Sequence, residues 1–360
     1  MKSRLAKLRK KLAENGIDAL LVCQAQNRRY LSGFRSSDGY LLITQSKIVI
    51  ALDSRYVESA KKSLDKSLAI EVYKTQGELS RWLPDLLSCI NINNLGFEDS
   101  FVSFSFYRAV SESLNSLNRT IELVPIGKLI ASLRVVKDEA ELTLLSKAAA
   151  IVDTAFGHLK SKMQPGMTEK QVAWLLESLI RENGSSAVPF GIIVASGTNA
   201  AYPHFSATDR TIKVGEPITM DFGARVDGYC SDITRTVCLG APDSKLGEIY
   251  NIVLDSQMKA INEIKSGMTG EQADKIARNV INEAGYGQYF GHGLGHGIGV
   301  DVHEEPRLSE NSTDILTDGM IFSIEPGIYI PGWGGVRIED MVVLSNGKVN
   351  TLTKASKGLS

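Results

Sequence analysis

The sequence has no excess of charge of either sign and no long hydrophobic run. Its 360 residues carry 40 basic and 41 acidic side chains, which leaves a formal net charge of -1 at pH 7. This balance gives no electrostatic reason to expect nucleic acid or an anionic membrane as a partner. No apolar stretch approaches the ~20 residues that a membrane-spanning helix needs. We therefore expect neither nucleic acid nor membrane among the partners.

Cysteine is also scarce, and its positions are informative. The four cysteines form no Cys-x-x-Cys pair and lie at Cys23, Cys89, Cys230 and Cys238. The first ten residues, Met1–Lys10, are rich in charge and lack the apolar core of a signal peptide. Scattered thiols and a charged N-terminus together predict a cytoplasmic protein with reduced cysteines.

A chain of this length favours two domains over one. In the first third, strand-like apolar runs alternate with helical stretches, which is typical of a sheet covered by helices. A helical pattern that runs from near Lys137 towards Lys160 then opens a second region. We predict an N-terminal α/β domain over residues 1–128 and an α+β domain over residues 129–360.

The second domain contains a weak internal repeat. The triplet Gly166–Thr168 recurs as Gly267–Thr269, 101 positions later. Each copy precedes an amphipathic helical pattern, and these patterns end near Gly184 and Gly285. Thr168 with Gln171 also fits a helix capping box. The repeat favours a duplicated α+β half, and the alternative is two unrelated helices that share a capping triplet.

Acidic residues occupy apolar strand-like segments after each repeat helix. Asp221 and Asp232 flank a two-residue turn, Asp227-Gly228, and the register centred on that turn pairs Asp221 with Thr234. Both aspartates then share one face of the hairpin. Glu325 and Glu339 flank a second expected loop, residues 331–335, with the same parity. Buried acids on strands are costly unless they are paired or bound to metal, and exposed strand positions are the alternative.

Histidine is rare, and most of it is clustered. Of five histidines, three fall within the glycine-rich segment 291–304, at His292, His296 and His303. His204 is a further candidate, and His158 lies in the long helical pattern as a packing or surface residue. Four carboxylates and a histidine suit a pair of divalent ions, and oxygen-rich ligands favour Mn²⁺, Co²⁺ or Fe²⁺ over a thiolate-type zinc site. Two such ions can activate water, which predicts hydrolysis.

Taken together, the segments 221–236, 291–304 and 324–340 resemble the pita-bread metallopeptidases, the group that contains prolidase, aminopeptidase P and methionine aminopeptidase. The resemblance extends from about Arg134 to Met341. It implies a creatinase-like N-terminal α/β domain followed by a pseudo-twofold pita-bread catalytic domain. It also implies the metal ligands, which are Asp221, Asp232, His296, Glu325 and Glu339.

The same resemblance implies roles for the remaining candidates. His204 and His303 would hydrogen-bond the substrate carbonyl and the tetrahedral intermediate, and Glu325 would carry the proton. His292 would be an active-site residue that is not a ligand, and Arg337 would orient carboxylates. Arg307 resembles a position that recognises a free prolyl carboxylate in dipeptidases, although a surface arginine is an equal alternative.

The resemblance, with the N-terminal domain, implies a dinuclear-metal peptidase that hydrolyses Xaa-Pro bonds in short proline-containing peptides with a metal-bridged water as nucleophile. Dipeptidase (prolidase) activity is the first choice, followed by Xaa-Pro aminopeptidase and then methionine aminopeptidase. The non-enzyme alternative is a catalytically silent binding module on the same fold. We expect two divalent ions, Mn²⁺ first, with Co²⁺, Fe²⁺ or Zn²⁺ as alternatives, and a homodimer by analogy with related dimers.

Overall fold

Six strands form the sheet of the first unit, Met1–Leu133, in the computed structural model, which describes residues 1–359. The strands are β1 (Ala19–Val22), β2 (Tyr40–Thr44), β3 (Ile48–Leu52), β4 (Glu71–Lys74), β5 (Asn94–Phe97) and β6 (Glu122–Pro125). The helices are α1 (Lys2–Glu14), α2 (Ala25–Ser32), α3 (Ser54–Ser63), α4 (Leu79–Ser88) and α5 (Phe104–Leu114), and a short α6 (Ala131–Arg134) begins in this unit. This architecture confirms the predicted α/β class.

The order of strands across this sheet is β4-β3-β2-β1-β5-β6. Strand β2 runs antiparallel to both of its neighbours, and the other pairs are parallel. Successive side chains of β1 point to opposite faces. Leu20 and Val22 therefore pack in one core, while Ala19 and Leu21 pack in the other. Helices thus cover both faces of the sheet.

The second unit begins at Arg134, a few residues beyond the predicted boundary. Its helices are α7 (Glu139–Lys162), α8 (Glu169–Glu182), α9 (Ser244–Glu263) and α10 (Gly270–Glu283). Its strands are β7 (Ile193–Ser196), β8 (Ile218–Phe222), β9 (Arg225–Val226), β10 (Tyr229–Cys230), β11 (Ile233–Val237), β12 (Gly295–Gly297), β13 (Glu304–Leu308), β14 (Ile321–Ile324), β15 (Gly327–Ile330), β16 (Gly334–Arg337), β17 (Asp340–Ser345) and β18 (Lys348–Thr351).

These strands form two main antiparallel sheets and two short ribbons. One sheet has the order β11-β8-β7 and the other has the order β13-β12-β14-β17-β18. The ribbons β9–β10 and β15–β16 extend the hairpins that carry the acidic residues. Helices α7 and α8 cover the first sheet, and α9 and α10 cover the second. No helix within residues 1–359 is both long enough and apolar enough to cross a membrane.

The repeated Gly-Met-Thr triplet begins equivalent helices in the two halves. Thr168 caps α8 and Thr269 caps α10, each in a complete capping box with the glutamine three residues later. Each threonine also bridges to an extended segment, Thr168 to Thr211 and Thr269 to Ile315. The capping box predicted at Thr168 is confirmed, and its copy at Thr269 has the same geometry.

Candidate metal centre

The first pair of acids comes from the β8–β11 hairpin. Asp221 lies on β8, and Asp232 immediately precedes β11. Asp227 and Gly228 have φ of 46° and 80°, the left-handed values that a tight two-residue hairpin turn requires. The register pairs Asp221 with Thr234, as the sequence predicts.

The second pair of acids is placed by the β14–β17 hairpin and its extension. Glu325 follows β14 and Glu339 precedes β17, and the ribbon between them pairs Gly327 with Arg337. The expected loop over residues 331–335 is too long, because β16 already begins at Gly334. A Cβ on Gly335 would lie 2.1 Å from the carbonyl oxygen of Ala200, so this glycine lets β16 pack closely against the short 3-10 helix Gly197–Ala201.

His296 lies on β12 and presents one ring nitrogen to the acids. Its Nδ1 is 3.1 Å from the carbonyl oxygen of Gly297, and because a carbonyl only accepts, Nδ1 carries the proton of the neutral ring. Its Nε2 then faces two carboxylates, 3.3 Å from Glu325 Oε1 and 3.7 Å from Asp232 Oδ2. This is the tautomer and orientation of a histidine that binds metal through Nε2.

One cavity of about 300 Å³ brings all the candidate residues together. Its walls include every residue for which the sequence suggests a role: His204, Asp221, Asp232, His292, His296, His303, Arg307, Glu325, Arg337 and Glu339. The lining residues extend from Pro203 to Glu339 along the chain, and the two halves of the second unit each contribute a pair of acids.

Several buried carboxylates lie close together in this cavity and give it a strongly negative charge. Burial, and then the charges of Glu339 and Asp221, raises the pKa of Asp232 well above its ordinary value. Burial and the charge of Glu325 likewise raise the pKa of Glu339. Burial also acts to raise the pKa of Glu325. Without metal, Glu325 raises the pKa of His296, and the protonated ring, which donates from Nε2, outweighs burial and brings the pKa of Glu325 to about 2. The acids therefore repel one another unless positive charge lies between them.

Three carboxylate oxygens in the cavity fit a bound cation. Asp221 Oδ1, Asp232 Oδ1 and Glu339 Oε1 are buried and have no hydrogen-bond partner within residues 1–359. A buried acceptor without a partner is costly, and a divalent ion satisfies it directly. Asp232, His296 and Glu339 offer donor atoms that all lie within 4.8 Å of one another. The oxygen-rich set with one imidazole suits a hard or borderline divalent ion.

Arg337 forms hydrogen bonds that position Asp221 directly and Glu339 through Thr234. Its Nη2 donates to Asp221 Oδ2 at 2.7 Å and its Nε donates to Thr234 Oγ1 at 3.0 Å. The Thr234 hydroxyl in turn donates to Glu339 Oε2 at 2.8 Å. These bonds leave the other oxygen of each carboxylate free for a ligand. Arg337 therefore contacts Asp221 directly and Glu339 through Thr234.

Tyr329 is a residue of this network that the sequence analysis misses. Arg337 Nη1 donates to the Tyr329 hydroxyl at 2.9 Å, and that hydroxyl lies 2.9 Å from His292 Nε2. Because His292 Nδ1 faces the carbonyl oxygen of Gly293, its Nε2 accepts from the tyrosine. The available signal was parity, since Tyr329 shares the face of Glu325 on the same extended segment.

The remaining candidates, His303 and Arg307, line the cavity. The ring of His303 lies 4.3 Å from that of His296, centroid to centroid, and burial together with the charges of His296 and Arg307 lowers the pKa of His303 to about 4. Arg307 lies on β13 with an exposed side chain, and no hydrogen bond of its guanidinium is found within residues 1–359. His303 is therefore neutral at pH 7, and Arg307 is free to meet an anion.

Comparison with known proteins gives full-length matches. Residues 143–346 match the model of metallopeptidase family M24, and residues 4–136 match the creatinase/prolidase N-terminal domain. An Xaa-Pro dipeptidase of Pyrococcus horikoshii is 37% identical over 100% of this chain and 99% of its own. The solved Xaa-Pro dipeptidase of Bacillus anthracis is 40% identical, with a TM-score of 0.94 and 99% of both chains covered. An X-Pro aminopeptidase structure from Thermotoga maritima is 37% identical, with a TM-score of 0.89 and 95% and 97% of the chains covered.

Proposed function

Because this chain belongs to metallopeptidase family M24, we propose that it is an Xaa-Pro dipeptidase that holds two divalent ions. The proposal rests mainly on the size and the lining groups of the cavity. It is small, about 300 Å³, and it combines unsatisfied carboxylate oxygens with an unpaired guanidinium, that of Arg307. The dipeptidase relatives, which match over nearly the whole of both chains, support the same choice.

The proposed ligands are Asp221, Asp232, His296, Glu325 and Glu339. When bound between them, divalent ions activate a water and polarise the carbonyl of the scissile bond. Mn²⁺ is the metal we propose first, because four carboxylates and one imidazole form an oxygen-rich set. Arg337 keeps Asp221 oriented through its 2.7 Å hydrogen bond, so the ligand geometry is preorganised.

Glu325 is the proposed proton carrier. Its Oε1 accepts a hydrogen bond from Ser323 Oγ at 2.9 Å, which fixes the carboxylate at the cavity wall. The nitrogen of an Xaa-Pro bond carries no hydrogen, so it must gain a proton as it leaves. A carboxylate that takes a proton from the attacking water and delivers it to that nitrogen meets this need.

His204 and His303 are the proposed hydrogen-bond donors to the substrate. Both line the cavity, and the low pKa of His303, about 4, keeps its ring neutral at pH 7. A neutral imidazole retains one N–H, which can donate to the carbonyl oxygen and hold the negative charge that develops there. His292, whose Nε2 accepts a hydrogen bond from the Tyr329 hydroxyl, lines the same cavity.

Arg307 is the proposed recognition residue for the free prolyl carboxylate, and this role can be tested directly. We expect wild-type enzyme to cleave Met-Pro at least about tenfold more efficiently than Met-Pro amide, since a charge-assisted hydrogen bond contributes roughly 1.5–3 kcal/mol. In Arg307→Met, KM for Met-Pro should rise about tenfold, kcat should change little, and the preference over the amide should disappear.

The matched control is Arg181→Met, an arginine on α8 paired with Glu177 and outside the cavity. It should keep wild-type kinetics for both peptides. Equal cleavage of acid and amide by the wild-type enzyme would favour the second candidate, an Xaa-Pro aminopeptidase. The likeness to the Thermotoga maritima X-Pro aminopeptidase supports that candidate.

We propose a homodimer, on the strength of the family analogy alone. We also propose a cytoplasmic location, which is supported by four cysteines that all occur as free thiols.

A further inference from the structure

One buried carboxylate of the second unit binds two separate stretches of the chain. Glu169 is the first residue of α8, and its exposed fraction is 0%. It does not line the cavity of the candidate metal centre. The proposed peptidase chemistry does not use this side chain, so its hydrogen bonds need a separate explanation.

The first of these stretches begins at the end of β7. Glu169 Oε1 accepts hydrogen bonds from the backbone N–H and from the hydroxyl of Ser196, both at 2.8 Å. Asn199, in the 3-10 helix Gly197–Ala201, donates from Nδ2 to Oε1 at 3.0 Å and to Oε2 at 3.2 Å. These three donors fix the start of segment 196–208 to helix α8.

The same carboxylate binds the end of that segment. Oε2 accepts from the backbone N–H of Thr208 at 3.1 Å and from its hydroxyl at 2.6 Å. Both oxygens of Glu169 thus receive N–H donors, so the group acts only as an acceptor, as an ionised carboxylate does. Hydrogen bonds to an ionised acceptor are stronger than neutral ones. Glu169 therefore joins the two ends of segment 196–208 firmly.

Segment 196–208 carries His204, one of the two proposed donors to the substrate. Pro203 and His204 line the cavity. The His204 side chain is exposed, and no hydrogen bond of its ring is found within residues 1–359. The position of this ring therefore depends on the backbone of the segment and not on hydrogen bonds of its own.

Few contacts hold the middle of the segment. Phe205 packs against a small buried cluster formed by Ile193, Ala195 and Ala200. The carbonyl oxygen of Pro203 accepts from Arg337 Nη1 at 3.3 Å, a long hydrogen bond. Fixing both ends of a loop reduces the number of conformations that its middle can adopt. The bonds of Glu169 at the two ends therefore restrict where His204 can lie.

We propose that Glu169 is a positioning residue for His204. By joining the ends of segment 196–208, its carboxylate determines where the His204 ring meets the carbonyl oxygen of the substrate. This inference rests on the proposed function, in which His204 donates to that oxygen. Glutamine at position 169 would keep the size of the side chain but replace one acceptor oxygen with an NH₂ group. Because both oxygens receive N–H donors, neither place accommodates that group.

A double-mutant cycle on the full-length, Mn²⁺-loaded protein tests the link with Met-Pro as substrate. His204→Ala should lower kcat by about 10²-fold, since loss of one donor to a developing oxyanion costs roughly 10²–10³-fold. Glu169→Gln should lower kcat about tenfold with a smaller change in KM, because the donor acts mainly in the transition state. The double variant should have the kcat of His204→Ala alone, because no ring is left to position.

Amide hydrogen exchange, followed by mass spectrometry, gives a readout that does not depend on activity. Peptides from segment 196–208 should exchange faster in Glu169→Gln than in the wild type, because the ends of the segment open more easily. Asn199→Ala removes one of the donors and leaves those of Ser196 and Thr208, so it provides a milder variant if Glu169→Gln does not fold. It should show smaller changes of the same kind and should likewise add nothing to His204→Ala.

The matched control is Glu98→Gln in the first unit. Glu98 is also a buried carboxylate, 3% exposed, and it accepts from the backbone N–H of Gln24 at 2.8 Å and from Asn27 Nδ2 at 2.6 Å. It does not line the cavity of the candidate metal centre. Glu98→Gln should leave the exchange of segment 196–208 unchanged, and any effect on kcat should be the same with and without His204→Ala.

Multiplication of the kcat losses of Glu169→Gln and His204→Ala would show a general structural role for Glu169 and overturn the proposal. Exchange of segment 196–208 at the wild-type rate in Glu169→Gln would also overturn it. A His204→Ala protein with wild-type kcat would overturn both this proposal and the role given to His204. If the wild type fails to cleave Met-Pro while Glu169→Gln still exchanges faster, the proposed function is wrong, but Glu169 still anchors the segment.

Discussion

Glu325→Gln should lower kcat for Met-Pro hydrolysis by at least about 10³-fold. A positioned acid or base contributes roughly 10²–10⁴-fold to a proton transfer, and glutamine cannot carry the proton. The same substitution also removes a proposed metal ligand next to His296 Nε2. Steady-state kinetics after reconstitution with Mn²⁺ measures the effect, and circular dichroism checks that the fold is retained.

The matched control for this variant is Glu283→Gln, an exposed glutamate at the end of α10. It should leave kcat within a factor of about two, since surface substitutions away from special features have small effects. Near-native turnover of Glu325→Gln after metal reconstitution would contradict both the proton-carrier role and the proposed ligand set.

Asp232→Asn should have opposite effects on stability with and without metal. In chelator-treated protein, burial and the neighbouring acids raise the pKa of Asp232, so the folded state disfavours the ionised carboxylate. An acid with a raised folded pKa reduces stability as pH rises above its unfolded pKa. At pH 7 asparagine removes that penalty, and Tm should rise by about 2–4 °C for each kcal/mol gained.

With metal, the same variant should lose stability relative to the wild type. Metal that binds only the folded state adds about 2.7 kcal/mol at a concentration ~100-fold above Kd. Asp232→Asn lacks one proposed anionic ligand, so this metal-dependent rise in Tm should shrink or vanish. Differential scanning calorimetry with and without chelator measures both effects on Tm, the rise without metal and the loss with metal.

Asp255→Asn on α9 serves as the control, because this aspartate is exposed and does not line the cavity. Its Tm should follow the wild type in both states. A chelated Asp232→Asn protein that is less stable than chelated wild type would contradict the account of mutual repulsion in the cavity.

The acids of the centre could be placed from the sequence because local rules determine them. The Asp227-Gly228 turn fixes the hairpin register, and strand parity then places Asp221 and Asp232 on one face. Parity likewise brings Glu325 and Glu339 together, although the length of the loop between them was overestimated. The extent of β16 depends on packing of Gly335 against Ala200, which no local pattern reveals.

Other parts could not be predicted because they depend on distant contacts. Strands β5 and β6 are short and lie next to each other only in the folded sheet. The link from Arg337 through Tyr329 to His292 joins the β15–β16 ribbon to a residue 37 positions before Tyr329.

A comparison of three peptides tests the dipeptidase assignment. Chelator-stripped protein, reconstituted with Mn²⁺ or Co²⁺, is incubated with Met-Pro, Met-Pro-Ala and Met-Ala-Ala, and the products are identified by mass spectrometry. An Xaa-Pro dipeptidase should give metal-dependent cleavage confined to Met-Pro. Release of methionine from Met-Pro-Ala would contradict the dipeptidase assignment in favour of an aminopeptidase, and preference for Met-Ala-Ala would contradict proline specificity altogether.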